Sequence, residues 1–348
     1  MAKILAYTDN HYCQASSIVR LRGKKFSYRL ENQIESINWV ERLAAEKGCK
    51  YIYNLGDFFD KPVLNAEELT ALKDIKWNED AYHYFLVGNH EMGSADLEFN
   101  SVNALSKIGK VIDKPTVDGG FGYRLILLPY MLESNRKPLD KIIHDLYVGM
   151  FETQELKHTI IFSHNDISGI RYGQYMSTTG FSVEEITNNC NLYINGHLHN
   201  QTQVSDKILN LGNLTGQNFS EDATKYSHCA AIIDTDTLQV ELIVNPYALN
   251  FYKFEVENET DIDEIIRQCV KPSVLTVKTN EALIDTVRLR LSQCENVVTF
   301  KLIAITNTCT NTNTITDLHK LNHIDQFKQY CIETLGQSET LQEELSLI

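Results

Sequence analysis

The sequence predicts an α/β fold, in which short apolar strands alternate with helices and form a sheet that is buried on both faces. Two observations support this prediction. The apolar runs are short and are separated by segments with helical periodicity, which is typical of parallel sheets covered by helices. Polar clusters also follow directly after the carboxyl ends of these runs, where open α/β sheets bind their ligands.

The elements of this fold can be assigned in chain order. Helical periodicity marks residues 31–47 and 65–76. The predicted strands are the apolar runs at 3–8, 51–55, 83–87, 124–128, 159–163, 192–195 and 208–211.

The character of the chain changes after about Pro246. Residues 251–304 predict strand, helix, strand, helix and strand. The stretch "TNTCTNTNTIT" at 306–316 is polar and typical of a linker, and the apolar residues that follow have the spacing of a helix. We therefore predict a main domain, a small second domain, a linker and a helical C-terminal segment, at 1–248, 249–305, 306–316 and 317–348.

Composition limits the cellular setting. No apolar stretch approaches the roughly 18 residues of a membrane span, and the opening "MAKILAYTDNHY" has too short an apolar run for a signal peptide. The eight cysteines lie far apart and form no C-x-x-C pair. We expect a cytoplasmic protein with reduced cysteines and no membrane partner.

The formal net charge of −14 argues against a protein that coats nucleic acid by bulk charge. A local basic patch could still contact DNA near a metal centre. A solvated loop is an equally good interpretation of such a patch. The candidate residues for DNA contact are Arg20, Arg22, Lys24, Lys25 and Arg29.

Five polar clusters carry the candidate chemistry. Their aspartates, histidines and asparagine offer oxygen and nitrogen ligands without thiolate, which suits Mn²⁺, Fe or Zn. They exceed the four ligands of a structural zinc and suit two ions about 3.5–4 Å apart, as in two-metal phosphoesterases. The clusters are Asp9-x-His11, Gly56-Asp57-Phe58-Phe59-Asp60, Gly88-Asn89-His90-Glu91, His164 in "FSHND", and Gly196-His197-Leu198-His199.

Individual residues suggest individual roles. Asp57 has two carboxylate oxygens and could bridge both ions, and Asn89 adds an oxygen ligand without charge. His90 lies next to a ligand and could act as general acid or charge stabiliser. Each motif alone has an ordinary explanation, since a Gly-Asp pair is often a turn and alternate histidines are often exposed. The ordered set favours a metal site.

The ordered set resembles the calcineurin-like metallophosphoesterase superfamily over about residues 3–245. Within it, the chain is most similar to the SbcD nuclease subunit and its phage and eukaryotic repair counterparts. The segments "NLGDFFDKP" and "LNLGNLTGQNFSED", with Gly212, Phe219 and Glu221, carry that similarity. The resemblance implies a four-layer α/β/β/α sandwich with a small α+β capping domain and a C-terminal helical tail.

The resemblance also implies roles for the site residues. One ion would be held by Asp9, His11, Asp57 and His199, and the other by Asp57, Asn89, His164 and His197. His90 would be catalytic, and Asp60 would support the site from outside the ligand set or serve a structural purpose. Two divalent ions, with Mn²⁺ as the expected metal, would activate a hydroxide for in-line attack on phosphorus.

The activities implied are exonuclease on duplex ends and endonuclease on single strands or hairpins, within a DNA repair or recombination complex of a bacterial or phage-infected cell. The segment "DLHKLNHIDQFKQYCIETL" at 317–335 would dock on an SMC-like, SbcC-type ATPase, or fold back on its own domain. A homodimer is expected from the resemblance alone. The sequence departs from the family at Tyr12-Cys13 and Asn213, which affects details of DNA contact.

Two other functions remain open. A metallophosphoesterase could instead hydrolyse nucleotides, cyclic nucleotides or phosphoproteins, although a hydrolase of small molecules needs neither the second domain nor the tail. A scaffold that has lost its metals is disfavoured, because every ligand position is filled.

Overall fold

The computed structural model describes residues 3–14, 23–118, 123–148, 158–172 and 175–305. The longest helix in these ranges begins after Ser27, whose side chain accepts the Leu30 N–H, and ends at Gly48 with a φ of 70°. Short 3-10 segments occur at Leu72–Asp74, Ser101–Leu105, Glu133–Asn135 and Glu281–Leu283. The helices are α1 Tyr28–Lys47, α2 Ala66–Ala71, α3 Leu139–Tyr147, α4 Val183–Asn189, α5 Glu259–Gln268 and α6 Ile284–Ser292.

The strands are short, as the apolar runs predict. In chain order they are β1 Lys3–Tyr7, β2 Tyr51–Asn54, β3 Tyr82–Leu86, β4 Gly109–Ile112, β5 Thr116–Asp118, β6 Tyr123–Leu128, β7 His158–Ser163, β8 Ile167–Ser168, β9 Arg171–Tyr172, β10 Tyr175–Met176, β11 Phe181–Ser182, β12 Leu192–Asn195, β13 Thr202–Ser205, β14 Ile208–Asn210, β15 Cys229–Asp234, β16 Val240–Val244, β17 Asn250–Val256, β18 Ser273–Asn280 and β19 Val297–Ile305.

Two six-stranded sheets form the body of the protein, in the orders β16-β15-β1-β2-β3-β4 and β13-β14-β12-β7-β6-β5. Strands β1 to β4 are parallel in the first sheet, and β14, β12, β7 and β6 are parallel in the second. Antiparallel strands flank both parallel groups. The carboxyl ends of the parallel strands therefore lie together at one edge of each sheet.

Side-chain alternation along the strands separates three apolar clusters. Leu5 packs in a cluster with residues of α1, whereas its neighbour Ile4 packs in a cluster between the two sheets. In the second sheet Leu125 faces that central cluster, and Ile126 packs with residues of α3 and α4. The layers are therefore helix, sheet, sheet and helix. This confirms the predicted four-layer α/β/β/α sandwich.

A third sheet follows, in the order β17-β18-β19, with β17 and β18 parallel. Helices α5 and α6 pack on it through a separate apolar cluster that includes Ile262, Leu275 and Val287. The predicted order of strand, helix, strand, helix and strand is confirmed. That residues 249–305 form a domain of their own stays a prediction, as do the linker at 306–316 and the helical segment at 317–348, which lie outside the described residues.

Some predicted elements differ from the structure. The helix expected at 65–76 ends at Ala71 and tightens into the 3-10 segment, a common way to satisfy the last carbonyls of a helix. Helices α3 and α4 and strands β15 and β16 were not among the predicted elements. No described helix is long and apolar enough to cross a membrane. The six cysteines in the described ranges are free thiols.

Candidate metal centre

The predicted ligands lie at the carboxyl edge of both large sheets. Asp9 and His11 follow β1, Asp57 follows β2, and Asn89 and His90 follow β3 of the first sheet; His164 follows β7, and His197 and His199 follow β12 of the second. The two sheets stack through the central apolar cluster. Residues far apart in sequence are therefore brought together at one end of the sandwich.

One group of donors consists of Asp9, His11 and His199. The Nε2 atoms of His11 and His199 are 3.0 Å apart, and Asp9 Oδ1 lies 3.8 Å and 3.9 Å from them. Donor atoms that share one ion at about 2.0–2.2 Å are separated by roughly 3–4 Å. The spacing of these atoms is therefore that of ligands to a common cation.

A second group consists of Asp57, His164, His197 and Asn89. His164 Nε2 lies 3.1 Å from Asp57 Oδ2 and 3.3 Å from Asn89 Oδ1, and His197 Nδ1 lies 2.9 Å from Asn89 Oδ1. Asp57 Oδ2 is also 3.9 Å from His11 Nε2 of the first group. This carboxylate stands between the two groups, in the position that a bridging ligand requires.

Three of the histidines are oriented by a partner on the nitrogen that faces away from the cluster. His11 Nδ1 lies 2.9 Å from Asp60 Oδ1, His164 Nδ1 lies 2.8 Å from the Leu55 carbonyl oxygen, and His197 Nε2 lies 3.3 Å from Asp166 Oδ1. Each contact fixes the ring and leaves the opposite nitrogen for the cluster, the usual arrangement around metal-ligating histidines.

The electrostatics of the metal-free cluster follow from its burial and its charges. Burial would raise the pKa of Asp9, but the nearby imidazole of His11 and the charges of His164 and His199 lower it to about 2. Burial would lower the pKa of His11, but its hydrogen bond to Asp60 and the nearby carboxylate of Asp9 raise it to about 10. Burial and the charge of His11 lower the pKa of His199 to about 4. At neutral pH a proton on His11 therefore partly balances the aspartates.

The backbone at this edge is unusual. Asp9, His11, Asp57 and His197 have φ values of 52°, 47°, 49° and 73°, in the left-handed region that few non-glycine residues adopt. Strained backbone of this kind is concentrated at functional sites, where the surrounding structure enforces it. Gly88 lies so close to Asp57 that an added Cβ would meet Asp57 Oδ1 at 2.1 Å.

The donor set fits a pair of divalent cations. Asp9 Oδ1 is buried and accepts no hydrogen bond from any described residue, although a bare buried carboxylate oxygen is costly. A cation beside it would satisfy the oxygen and offset the carboxylate charge. Nitrogen and oxygen donors without thiolate suit Mn²⁺, Fe or Zn.

His90 is the most exposed of the site histidines, since 41% of its side-chain surface is accessible, compared with 30% for His199. Its Nδ1 lies 3.2 Å from the Asp60 carbonyl oxygen and 3.5 Å from Asp60 Oδ1. Its backbone N–H donates to Asp57 Oδ1 at 3.0 Å. The contact with Asp60 raises the pKa of His90 above its ordinary value, so the ring is prepared to carry a proton at the mouth of the site.

The structure corrects one predicted DNA contact. Arg29 is only 6% exposed, and its guanidinium donates to the carbonyl and side-chain oxygens of Gln217. It is therefore not available at the surface. Lys24 and Lys25 are exposed, with Lys25 Nζ 2.9 Å from Asp74, and stay candidates. Arg20 and Arg22 lie outside the described residues.

Several supporting residues were missed at the sequence level. Gln33 Nε2 donates to the carbonyl oxygens of Asn10 and His11 at 2.9 Å and 2.6 Å, and Gln217 Nε2 donates to those of Asp9 and Asn10 at 3.2 Å each. These two amides clamp the left-handed loop that carries Asp9 and His11. Nothing in the local sequence marks Gln33, whereas Gln217 lies within the quoted segment "LNLGNLTGQNFSED".

Two missed carboxylates could have been found from their neighbours. Glu91 directly follows His90 and accepts the N–H groups of Phe59 and Gly88 at 2.8 Å each, so it ties two ligand loops together. Asp166 follows His164 by two residues and orients His197. Both are acidic residues within the quoted motifs.

The sandwich and its histidine–aspartate edge define the class of metal-dependent phosphoester hydrolases. Comparison with known families agrees: the model of the calcineurin-like phosphoesterases matches residues 2–201, and the chain belongs to this family. The family depends on two metal ions. No curated protein matches the chain.

Several solved structures are similar to part of the chain. TT1561 of Thermus thermophilus is 11% identical, covers 70% of this chain and 98% of its own, and has a TM-score of 0.42. A dimetal phosphatase from Danio rerio is 13% identical, with 70% and 99% coverage and a TM-score of 0.43. Calcineurin-like phosphoesterase YfkN from Bacillus subtilis is 9% identical, with 70% and 88% coverage and a TM-score of 0.38.

Proposed function

We propose that this protein is a two-metal DNA phosphodiesterase of the SbcD type, acting as exonuclease and endonuclease in a repair or recombination complex. The observation that carries this proposal is a physical connection between the metal centre and the third sheet. Residues 212–223 make that connection, and they include the Phe219 and Glu221 positions that resemble the SbcD segment.

The connecting segment contacts the centre at one end. Asn213 N–H donates to the His199 carbonyl oxygen at 3.0 Å, and Gln217 supports the loop of Asp9. Glu221 is buried and accepts the Gln217 N–H at 2.9 Å and the Asn213 side-chain amide at 3.1 Å. The segment is thus held rigidly against two of the predicted ligand loops.

The same segment also contacts Leu249, which precedes the third sheet, and Phe251 of β17. Gly216 N–H donates to the Leu249 carbonyl oxygen at 2.9 Å, and Ala223 N–H donates to that of Phe251 at 2.7 Å. The rings of Phe219 and Phe251 meet edge to face, with centroids 5.6 Å apart. A hydrolase of small molecules needs no accessory sheet next to its centre, whereas an enzyme that holds a polymer does. This connection therefore supports the nuclease proposal.

The ligand residues and His90 have different roles in the proposed reaction. Bound divalent ions, which we propose to be Mn²⁺, would supply positive charge for the phosphate and activate water. Asp57, Asn89 and the buried histidines would hold these ions through their own oxygen and nitrogen atoms. His90 keeps Nδ1 on Asp60, so that its Nε2 can hold a proton for the departing sugar oxygen.

The experiment that tests this function is hydrolysis with Mn²⁺ by the full chain and by His90→Ala. End-labelled duplex DNA, single-stranded circular DNA, bis-p-nitrophenyl phosphate and cyclic nucleotides are compared at one enzyme concentration. DNA cleavage that disappears in the variant supports the nuclease. Activity confined to small esters would overturn the DNA assignment and leave an esterase of nucleotides, cyclic nucleotides or phosphoproteins.

The partners are part of the same proposal. Residues 317–335 would dock as an amphipathic helix on an SMC-like ATPase, and the protein would act as a homodimer in the cytoplasm. A chain that ends at residue 316 should retain intrinsic hydrolysis and lose ATPase binding in a pull-down. If the shortened chain unfolds instead, as measured by circular dichroism, the segment belongs to the fold and docking is rejected.

A further inference from the structure

A cavity of about 380 Å³ opens beside the predicted metal centre. Part of its wall, Asp113–Pro115, follows β4, and another part, Pro129–Leu132, follows β6. Strand β4 is the neighbour of β3, which precedes Asn89, and β6 is the neighbour of β7, which precedes His164. The cavity therefore lies at the same edge of the two sheets as the predicted ligands, one strand further along in each sheet.

Tyr130 contacts both the cavity and the predicted metal centre. It lines the cavity, and the centroid of its ring lies 5.7 Å from that of His197. Its backbone N–H donates to the Val87 carbonyl oxygen at 2.9 Å, which joins the edge of the second sheet to the loop that leads to Asn89. Tyr130 thus links the wall of the cavity to a predicted metal ligand.

The wall is fixed to a predicted metal ligand. Asn165 is fully buried and directly follows His164. Its Nδ2 donates to the Pro129 carbonyl oxygen at 3.0 Å, and its Oδ1 accepts the Met131 N–H at 3.0 Å. Asn165 therefore helps to fix the cavity wall relative to His164, as a site that must align a ligand with the metal centre requires.

The lining chemistry selects the kind of ligand. The wall is mainly apolar, with Leu97, Pro129, Met131 and Ile142 beside the ring of Tyr130. The charged lining residues are three aspartates and two lysines, and Lys137 is already paired with Asp145 at 2.7 Å. A surplus of carboxylates disfavours a phosphate in the cavity, and apolar walls with one aromatic ring favour a flat heteroaromatic group.

We propose that this cavity binds the base of the nucleotide that flanks the scissile phosphodiester, with Tyr130 as the group between base and metal centre. The proposal rests on the proposed function, since it names the part of the substrate that the phosphodiester site would select. A base can enter the cavity only when it leaves the stack of a duplex. The enzyme should therefore prefer unpaired or frayed nucleotides.

The test compares p-nitrophenyl esters that differ only in the second alcohol. Thymidine 5′-p-nitrophenyl phosphate and its 3′ isomer carry a base, and methyl p-nitrophenyl phosphate does not, while the leaving group is the same. Base–aromatic stacking changes binding by about tenfold or more. We expect one thymidine ester to exceed the methyl ester in kcat/KM by at least that factor.

Two variants test whether the preference for thymidine esters comes from binding in the cavity. Ala95 lines it and is exposed, so Ala95→Trp fills the space with little risk to folding. It should lower the ratio of the two kcat/KM values by about tenfold. Val270→Trp, at a position that is 74% exposed and outside the cavity, is the matched control and should leave the ratio unchanged.

The outcomes separate this proposal from the proposed function. Equal kcat/KM for the methyl and both thymidine esters, or a ratio that Ala95→Trp does not lower, overturns the base site and leaves the phosphodiesterase standing. If no ester is hydrolysed, the proposed function fails. In that case the base site is tested by calorimetric titration with deoxynucleoside monophosphates. Binding that Ala95→Trp abolishes supports the base site, and absence of binding to the unaltered chain rejects it.

Discussion

Asp60 Oδ1 lies 2.9 Å from Nδ1 of His11, and the same residue meets His90 through its carbonyl oxygen. One aspartate thus orients a predicted metal ligand and the predicted acid. Its burial would raise its pKa, but hydrogen bonds from His11 and His90 hold it well below the ordinary value. Asp60 is therefore ionised at neutral pH.

Replacing Asp60 should lower metal affinity more than it lowers the stability of the fold. Partners that orient ligating histidines typically contribute about 10–100-fold in metal affinity or activity. We expect Asp60→Ala to lower Mn²⁺ affinity by that factor in calorimetry, and Asp60→Asn to lie between this variant and the parent because its amide oxygen can still accept from His11. Unchanged Mn²⁺ affinity in Asp60→Ala would show that Asp60 does not orient His11 for metal binding.

His90→Ala should lower phosphodiester hydrolysis by about 10²–10⁴-fold, the usual contribution of a general acid. Metal content should stay near that of the parent, because all the predicted ligands remain. The measurement is the rate with bis-p-nitrophenyl phosphate together with metal analysis by mass spectrometry. The geometry offers an alternative, since His90 lies within reach of Asp57 and His11 as a third donor. Loss of one ion per chain would identify it as a ligand.

Metal binding should release protons at neutral pH. His11 must lose its proton to bind a cation, and its pKa is raised to about 10 in the metal-free protein, whereas that of His199 is lowered to about 4. Metal affinity should therefore increase with pH from neutral up to about 10. Calorimetry in buffers of different ionisation enthalpy measures the released protons. A heat that does not depend on the buffer would contradict this assignment.

The amide clamp on the loop of Asp9 can be tested with Gln33→Leu. The variant keeps a side chain of similar size and loses the donor to the Asn10 and His11 carbonyl oxygens. Leaving such buried groups unsatisfied costs about 1–3 kcal/mol in the free energy of unfolding, measurable by urea denaturation. Gln268→Leu, on an exposed face of α5, is the control and should change little. If Gln33→Leu keeps the stability and metal affinity of the parent, Gln33 does not fix the loop that carries Asp9 and His11.

A pair of glycines distinguishes crowding from backbone strain. Gly88→Ala would place its Cβ 2.1 Å from Asp57 Oδ1 and 2.5 Å from Asp57 N. The bridging carboxylate must then move, and metal affinity should fall by at least about tenfold. Gly48→Ala meets nothing within 4 Å but keeps a φ of 70°. It should cost about 1–2 kcal/mol of stability and leave metal affinity intact.

Much of the fold could be predicted because its signals are local. The strands that precede the ligands are apolar runs that end in polar motifs, and β3 differs by only one residue at each end from the prediction. Helix α4 also carries a local signal, the capping box of Ser182 and Glu185. That there are two sheets rather than one followed only from the family resemblance, since strand order depends on long-range pairing.

The site could be predicted less completely than the strands. The five motifs supplied the donor residues, and the structure brings these donors together. The supporting groups could not be predicted, because Gln33 and Gln217 lie on α1 and on a distant loop and act through main-chain oxygens. The burial of Arg29 has the same origin: its partner, Gln217, is 188 residues away in sequence, and no local pattern reveals such a contact.

The left-handed backbone at Asp9, His11, Asp57 and His197 also limits what laboratory evolution can do with this protein. Outside glycine, only asparagine, aspartate and, to a lesser degree, histidine enter this region readily. A library randomised at these positions and sorted for folding alone should return mostly glycine and asparagine, and β-branched residues should be rare among the survivors. The routes to another metal preference therefore lie at positions with ordinary backbone, such as Asn89 and His164.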